Sequence, residues 1–164
     1  MSGPTVALRG ILGLCLAALY SALVGADPSA DIKALADVTV SRLEAFPEVT
    51  MSISGLEFIP EASPAPQLGP IDQALGVFQE VLGQMLAHEP AGQVLNDVEN
   101  LRSLLQRRAS ALGCALDTPS SQVDQGQLQA LLADSAFSVV TATFNRLRGL
   151  LRFLIGHMDE VQSC

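Results

Sequence analysis

The sequence predicts an all-α fold, a four-helix bundle with up-up-down-down topology and two long crossover connections. Apolar residues recur at helical spacing in four stretches, and the connections between these stretches are long, short and long. Almost no alternating β pattern competes with this interpretation. The one alternating run, Val49 to Ile53, falls in the first long connection and is assigned to it.

The first two predicted helices lie on either side of the first long connection. The first runs from about Ser29 to Phe46 and is closed by Pro47, because proline cannot continue a helix. The second opens with Pro70, which suits the first helical position, and ends before Pro90. Their apolar stripes are Ile32, Leu35, Leu43 and Phe46 in the first helix, and Ile71, Leu75, Phe78, Leu82 and Met85 in the second.

The third and fourth predicted helices are separated by the second long connection, in which a short helix is predicted around Leu128, Leu131 and Leu132. The third helix ends at Gly113, a residue that readily adopts the left-handed conformation of a helix cap. Its stripe is Val94, Val98, Leu101, Leu105 and Leu112. The fourth stripe is Phe137, Val140, Phe144, Leu147, Leu151, Leu154, Met158 and Val161.

The connection lengths determine the predicted topology. The short link makes the second and third helices antiparallel neighbours, whereas the links Glu48–Gly69 and Ala115–Ser135 are long enough to return the chain to its starting end. Two such crossovers are the arrangement of the growth hormone and cytokine bundles. The sequence therefore predicts a long-chain four-helix cytokine bundle.

The N-terminal residues have the composition of a signal peptide. A short segment with a single arginine precedes the apolar run Ile11 to Leu23, which is shorter than the roughly 20 apolar residues of a spanning helix. A retained membrane anchor is the less favoured alternative. We predict a signal peptide over 1–26 and one helical domain over 27–164. Cleavage is predicted after Ala26, with Ala22 and Gly25 as alternative sites.

Two cysteines follow this leader, Cys114 and the last residue, Cys164. A terminal cysteine with one possible partner predicts a disulfide that pins the end of the chain, and a lone bridge persists mainly outside the reducing cytosol. Parallel third and fourth helices would place both cysteines at one pole of the bundle. Bridge and leader together predict a secreted, extracellular protein, the alternative being two unpaired thiols in a cytosolic one.

The charge and motif content argue against several functions. The chain has 9 Lys and Arg against 17 Asp and Glu, a net charge of −8, which would repel nucleic acid and anionic membranes. No HExxH, GxSxG, GxGxxG or P-loop motif occurs, and His88 and His157 lack a supporting carboxylate pattern, so we predict no enzyme, cofactor or metal site. Six late arginines are interpreted as solvated helix faces: Arg102, Arg107, Arg108, Arg146, Arg148 and Arg152.

Several segments resemble the leptin family. They are Ser54–Pro60 (Ser-Gly-Leu-Glu-Phe-Ile-Pro) in the first crossover, Asn96–Leu105 in the third helix, and the two cysteines with the second at the C-terminus. Supporting matches are Asp72-Gln73 with Leu75, and Arg146-Leu147 with Gly149. The resemblance follows the chain in order, and low identity elsewhere suggests a divergent member from a non-mammalian vertebrate.

The resemblance implies a hormone that binds and activates a class I cytokine receptor, the leptin receptor, and signals through Janus kinase and STAT proteins in energy balance and appetite. It implies a monomer before receptor binding, with no catalysis. The residues carried over from the family's main receptor face are Asp31, Arg42, Gln93, Asn100 and Leu104. Those carried over from its second surface are Leu56, Glu57, Phe58, Ile59 and Ser138.

The apolar residues of the first crossover allow two interpretations that do not depend on the resemblance to the leptin family. Leu56, Phe58 and Ile59 either plug the bundle or are exposed for a partner, and both hold if one edge of the segment faces outward. Alanine replacement of 56–59 is expected to leave a folded protein that binds receptor but signals poorly; loss of helical structure would support the plug. Two other classes stay open: a secreted helical-bundle carrier of apolar ligands, which predicts a cavity, and a self-associating structural protein.

Overall fold

The computed structural model describes residues 27–49, 54–61, 64–117 and 123–164, and the regular secondary structure within them is entirely helical. The helices are α1 (Ser29–Leu43), α2 (Leu68–Gln84), α3 (Ala91–Ala111) and α4 (Gln125–His157). The predicted all-α class with four helices is confirmed. The predicted signal peptide over 1–26 and residues 50–53 of the alternating run lie outside the described residues.

Apolar residues from all four helices meet in one core. The predicted stripes supply most of it, and Ile32, Phe78 and Leu101 are completely buried. Just beyond α1, the ring of Phe46 contacts that of Phe144 edge to face, with ring centroids 4.7 Å apart. Burial of each large apolar side chain contributes about 1.5–3 kcal/mol, so the stripes account for the association of the four segments.

Side-chain contacts establish the direction of each helix. Lys33 Nζ near the start of α1 lies 2.6 Å from the Asp159 carboxylate, just after α4. Arg102 Nε in the second half of α3 lies 3.0 Å from the Asp72 carboxylate in the first half of α2. The disulfide joins the end of α3 to the tail that follows α4. Because α1 and α2 begin at the pole where α3 and α4 end, the up-up-down-down topology is confirmed.

The order of the helices around the bundle separates two of its sides. In the described part of the chain, α1 contacts α3 and α4, and α2 contacts the same two helices. The α1–α3 side therefore lies opposite the α2–α4 side. Any surfaces built on these two sides face away from each other.

The C-terminal tail completes the start of α2. The backbone N–H groups of Leu68 and Gly69 donate to the carbonyl oxygens of Ser163 (3.0 Å) and Cys164 (2.9 Å). No side chain caps this helix, and the first N–H groups of a helix have no partner within it. The predicted disulfide between Cys114 and Cys164 is present, with Cα atoms 5.9 Å apart, and it holds the tail against α2.

α4 is longer than predicted and contains a kink. It begins at Gln125, where the Asp124 carboxylate accepts a hydrogen bond from the Gln127 N–H over 3.0 Å. Ser135 interrupts the helix with φ −143° and ψ 49°. The short helix predicted around Leu128 is thus present, and it is joined to the main part of α4 through the kink.

Two residues depart from the predicted buried stripes, and both lie where a helix changes direction or ends. Phe137 is 69% exposed. It follows the kink at Ser135 by only two residues, where the face of the helix that is buried farther along α4 is not yet turned toward the core. Leu112 is 44% exposed, because it is the C-cap residue that follows the last residue of α3. Gly113 then turns the chain with φ 74°, as predicted.

Candidate functional site

The first predicted surface is formed by one stripe of α1 and one of α3, and we call it the α1–α3 surface. The α1 stripe is exposed and consists of Asp31, Ala34, Val38 and Arg42. The α3 stripe consists of Gln93, Asp97, Asn100 and Leu104. Because the two helices are antiparallel neighbours, Arg42 lies at the Gln93 end of the surface and Asp31 at the Leu104 end. The structure therefore brings the five residues predicted for this surface to one side of the bundle.

Asp97 connects the two helices at one end of the α1–α3 surface. The residue is 4% exposed, Arg42 Nε lies 3.0 Å from its Oδ2, and Gln93 Nε2 donates to its Oδ1 over 3.2 Å. A buried carboxylate is costly without such partners. Asp97 was not among the residues predicted for this surface, although its position four residues after Gln93 and three before Asn100 places it on the predicted stripe.

The crossover segment, residues 54–61, divides into buried and exposed members. Leu56 and Ile59 are completely buried in the core, so the plug interpretation describes these two side chains. Glu57 is exposed, and Phe58 is half-buried at a surface groove of about 240 Å³ that it shares with Val77 of α2. In this conformation Glu57 and Phe58 are the predicted residues of the segment that a partner can reach.

Arg146 of α4 holds the crossover segment in place. Its Nη1 donates to the carbonyl oxygens of Leu56 (2.6 Å) and Ile59 (3.0 Å), and its Nη2 pairs with the Glu61 carboxylate. Only 9% of the Arg146 side chain is exposed. One guanidinium thus satisfies two loop carbonyls that have no helical partner.

Glu57 is fixed by the turn that precedes it. The Gly55 N–H donates to the Glu57 carboxylate over 3.0 Å, and this hydrogen bond, with the nearby charge of Arg146 contributing, lowers the pKa of the Glu57 carboxyl. The ionised carboxylate is the better acceptor for this bond. At neutral pH the segment therefore presents a fixed negative charge beside Phe58.

Ser138 lies between two contacts of the crossover segment with α4. Before it, Gln127 Nε2 donates to the Gly55 carbonyl oxygen over 3.2 Å, and after it Arg146 binds the Leu56 carbonyl oxygen. Ser138 is half-buried, and its neighbour Phe137 is the most exposed of the large apolar residues in the described ranges. Phe137 was predicted to lie in the core from the periodic pattern, but its exposure makes it a candidate for the second surface.

Four of the six late arginines are not solvated, so that interpretation is wrong for them. Arg108 and Arg148 are 5% and 3% exposed, and Arg102 and Arg146 are partly buried. Arg108 Nη2 donates to the Val161 carbonyl oxygen over 2.8 Å, and Arg148 Nη2 donates to that of Leu43 over 2.7 Å. These arginines satisfy carbonyls and carboxylates at the helix ends. Exposed positions are confirmed for Arg107 and Arg152.

A second groove, of about 380 Å³, opens between α2 and α3 beside Gln79, Glu99 and Arg102. A carrier of apolar molecules needs an enclosed apolar cavity, and neither groove is enclosed. The residues that the structure describes contain no cluster of three His, Cys, Asp or Glu side chains able to hold a metal. None of their helices combines the length and apolarity needed to cross a bilayer.

Comparison with known proteins decides the family. The family profile described as Leptin matches residues 29–164. The chain belongs to the leptin family. Leptin of Mus musculus is 33% identical over 140 residues, which cover 82% of this chain and 83% of that protein. Leptin of Gallus gallus is 32% identical over 138 residues, covering 82% and 84%, and leptin of Homo sapiens is 32% identical over 140 residues, covering 82% and 83%.

Membership of the leptin family makes this chain a hormone of the cytokine type and not an enzyme. Identity of about one third, 30–33%, confirms that the chain is a divergent member of this family. The matched range contains the whole α1–α3 surface, the crossover segment and both cysteines. Leptins are secreted hormones, in agreement with the presence of a disulfide.

Proposed function

We propose that this leptin-family chain is a secreted hormone that binds and activates the leptin receptor, a class I cytokine receptor, and signals through Janus kinase and STAT proteins. The signal peptide, 1–26, is removed after Ala26, and the domain 27–164 is a monomer that does not insert into membranes before it binds receptor. The net charge of the full chain, −8, disfavours nucleic acid and anionic lipid. Family membership supports a role in energy balance and appetite.

The α1–α3 surface carries the proposal. Its centre contains Val38, which is 48% exposed, and charged and amide side chains surround it, among them Asp31, Arg42 and Asn100. Protein interfaces commonly have this arrangement of an apolar centre within a polar rim. Since the helices are held by a shared core, the surface exists before a partner arrives, which reduces the ordering cost of binding.

The second surface supports receptor clustering. The crossover segment contacts α4 through Arg146 and shares a groove with Val77 of α2, so Glu57 and Phe58 lie on the α2–α4 side, opposite the α1–α3 surface. A monomer with two binding surfaces on opposite sides can hold two receptor chains at once. Leu56 and Ile59 contribute by anchoring the segment, and Ser138 contributes from α4.

Receptor binding by the secreted protein tests the proposal. The full chain is expressed in vertebrate cells, purified from the medium and passed over immobilised leptin receptor ectodomain. We expect an N-terminus at Asp27, a monomer and saturable binding. Gln93→Ala should weaken binding at least several-fold, whereas Gln106→Ala should not, because Gln106 is an exposed glutamine on another face of α3.

A folded, disulfide-bonded monomer that shows no saturable binding would contradict the proposed partner. Lipid analysis of the purified protein would follow, since co-purifying apolar ligand is the result that a carrier predicts. Equal effects of Gln93→Ala and Gln106→Ala would contradict the assignment of the α1–α3 surface.

A further inference from the structure

The Asp97 carboxylate is an unusual element of the α1–α3 surface, because it is buried while the side chains bound to it are exposed. Arg42 comes from α1 and has 41% of its side chain exposed, and Gln93 comes from the exposed start of α3. Only 5% of the Asp97 side chain is exposed, so the carboxylate itself is almost inaccessible to a partner. Its effect on a partner must be transmitted through the two residues that it contacts.

The contacts leave both of these residues with free binding capacity. The ion pair uses Nε of Arg42, which lies 3.0 Å from Asp97 Oδ2 outside hydrogen-bond geometry, so the terminal nitrogens of the guanidinium stay available. Gln93 uses its amide nitrogen on Oδ1, which leaves its amide oxygen available as an acceptor. Asp97 thus contacts Arg42 and Gln93 from the protein interior. The Arg42 guanidinium is left as a donor for a partner, and the Gln93 amide oxygen is left as an acceptor.

We propose that Asp97 is a positioning residue, which fixes Arg42 and Gln93 in one arrangement across the α1–α3 junction before the receptor binds. The complementary receptor patch presents a carboxylate to the Arg42 guanidinium and a hydrogen-bond donor to the Gln93 amide oxygen. Receptor affinity increases because these two long side chains are already ordered and lose little further conformational freedom on binding. This inference rests on the proposed function for its partner, but not for the geometry of the free protein.

The decisive variant is Asp97→Asn, because asparagine keeps the shape and an acceptor for Gln93 while removing the charge that holds Arg42. Asp72→Asn is the matched control. Asp72 is 2% exposed and forms an ion pair with Arg102 at 3.0 Å, but it lies between α2 and α3 and outside the α1–α3 surface. Both variants remove the charge of a buried carboxylate from an ion pair, so both should lower the melting temperature of the secreted protein.

Receptor affinity should separate the two variants. We expect Asp97→Asn to weaken binding about tenfold, the effect of freeing one or two ordered side chains, and Asp72→Asn to change it less than about twofold. In a double-mutant cycle, Arg42→Gln with Asp97→Asn should bind no worse than Arg42→Gln alone, because Asp97 acts through Arg42. Equal affinity loss in the Asp97 and Asp72 variants, or additive losses in the cycle, would overturn the inference.

The free protein supplies a measurement that does not depend on the receptor. The 15N relaxation order parameter of Arg42 Nε should be high in the wild type and lower in Asp97→Asn, with no change in Asp72→Asn. A low order parameter already in the wild type would overturn the positioning role even if the receptor binds. Absence of receptor binding together with a high Arg42 order parameter would instead refute the proposed function and leave the positioning established.

Discussion

Arg146 Nη1 donates to the carbonyl oxygen of Leu56 over 2.6 Å, a contact that joins α4 to the first crossover across 90 residues of sequence. The bond fixes a segment with two buried side chains, Leu56 and Ile59, and two accessible ones, Glu57 and Phe58. Stability and the second proposed surface therefore depend on the same short stretch of chain. Substitutions can separate these roles because the two accessible side chains differ from the two buried ones that flank them.

Arg146→Lys should destabilise the protein by about 2 kcal/mol, because a lysine ammonium cannot reproduce the planar fork that binds two carbonyl oxygens and Glu61. Urea unfolding measures the loss, and amide exchange at Ile59 should accelerate because its N–H donates to the Leu56 carbonyl oxygen. Arg107→Lys, at an exposed position on α3, should change stability by less than about 0.5 kcal/mol. Equal stability of the two variants would refute the structural role of Arg146.

Leu56→Ala should cost about 3 kcal/mol, because it removes a completely buried side chain from the core. Phe58→Ala should leave receptor binding through the α1–α3 surface intact and reduce signalling. Thermal unfolding and receptor phosphorylation, measured on both variants, test this separation. Replacing all of 56–59 by alanine would combine the two effects. Full signalling by Phe58→Ala would argue against the second surface.

Gly69→Ala should destabilise the protein by about 1–2 kcal/mol, because the added Cβ would lie 2.9 Å from the Cys164 carbonyl oxygen and displace the tail from α2. Gly83→Ala is the control within the same helix, since nothing lies within 4 Å of its added Cβ. Alanine is the better helix former, so this variant should be more stable by about 0.5–1 kcal/mol. If the urea midpoints of both variants shifted in the same direction from that of the wild type, the tail contact would be contradicted.

Asp27→Asn should reduce stability at neutral pH and have no effect in strong acid. Hydrogen bonds from Ser29 and the charge of Arg108 lower the pKa of the Asp27 carboxyl from 3.8. A lowered pKa means that the carboxylate stabilises the folded state above its unfolded pKa, and that this contribution is lost as the pH falls through the folded pKa. The urea midpoints of wild type and variant should therefore begin to converge near pH 3.8 and become equal once the pH is below the lowered pKa of the folded state. A difference that does not shrink as the pH falls below 3.8 would contradict the ion pair.

The helices could be predicted from sequence because their apolar stripes are long and regular. Leu35 and Phe46 are only partly buried, yet the stripe around them still identifies α1. Helix ends were less predictable, since α1 ends at Leu43, before Pro47, and α2 begins at Leu68, before Pro70. The kink at Ser135 has no proline or glycine to announce it, and the assignment of Phe137 to the core failed for that reason.

The buried arginines and Asp97 could not be predicted from charge alone, because charged residues on helices are usually solvated. The sequence positions of two of these arginines nevertheless indicate burial. Arg108 follows Leu105 by three residues and Arg148 follows Phe144 by four, so both lie on buried stripes. What sequence could not supply was the partner, since the loop carbonyls and carboxylates that bind these side chains lie far along the chain.

Receptor-dependent STAT phosphorylation tests the central claim most directly. The full chain, secreted and disulfide-bonded, is added to matched cells with and without the leptin receptor of a related vertebrate. We predict dose-dependent phosphorylation only in cells that carry the receptor, with a higher dose required for Gln93→Ala than for Gln106→Ala. A folded monomer that produces no phosphorylation in receptor-bearing cells, or the same response in cells without receptor, would contradict the account.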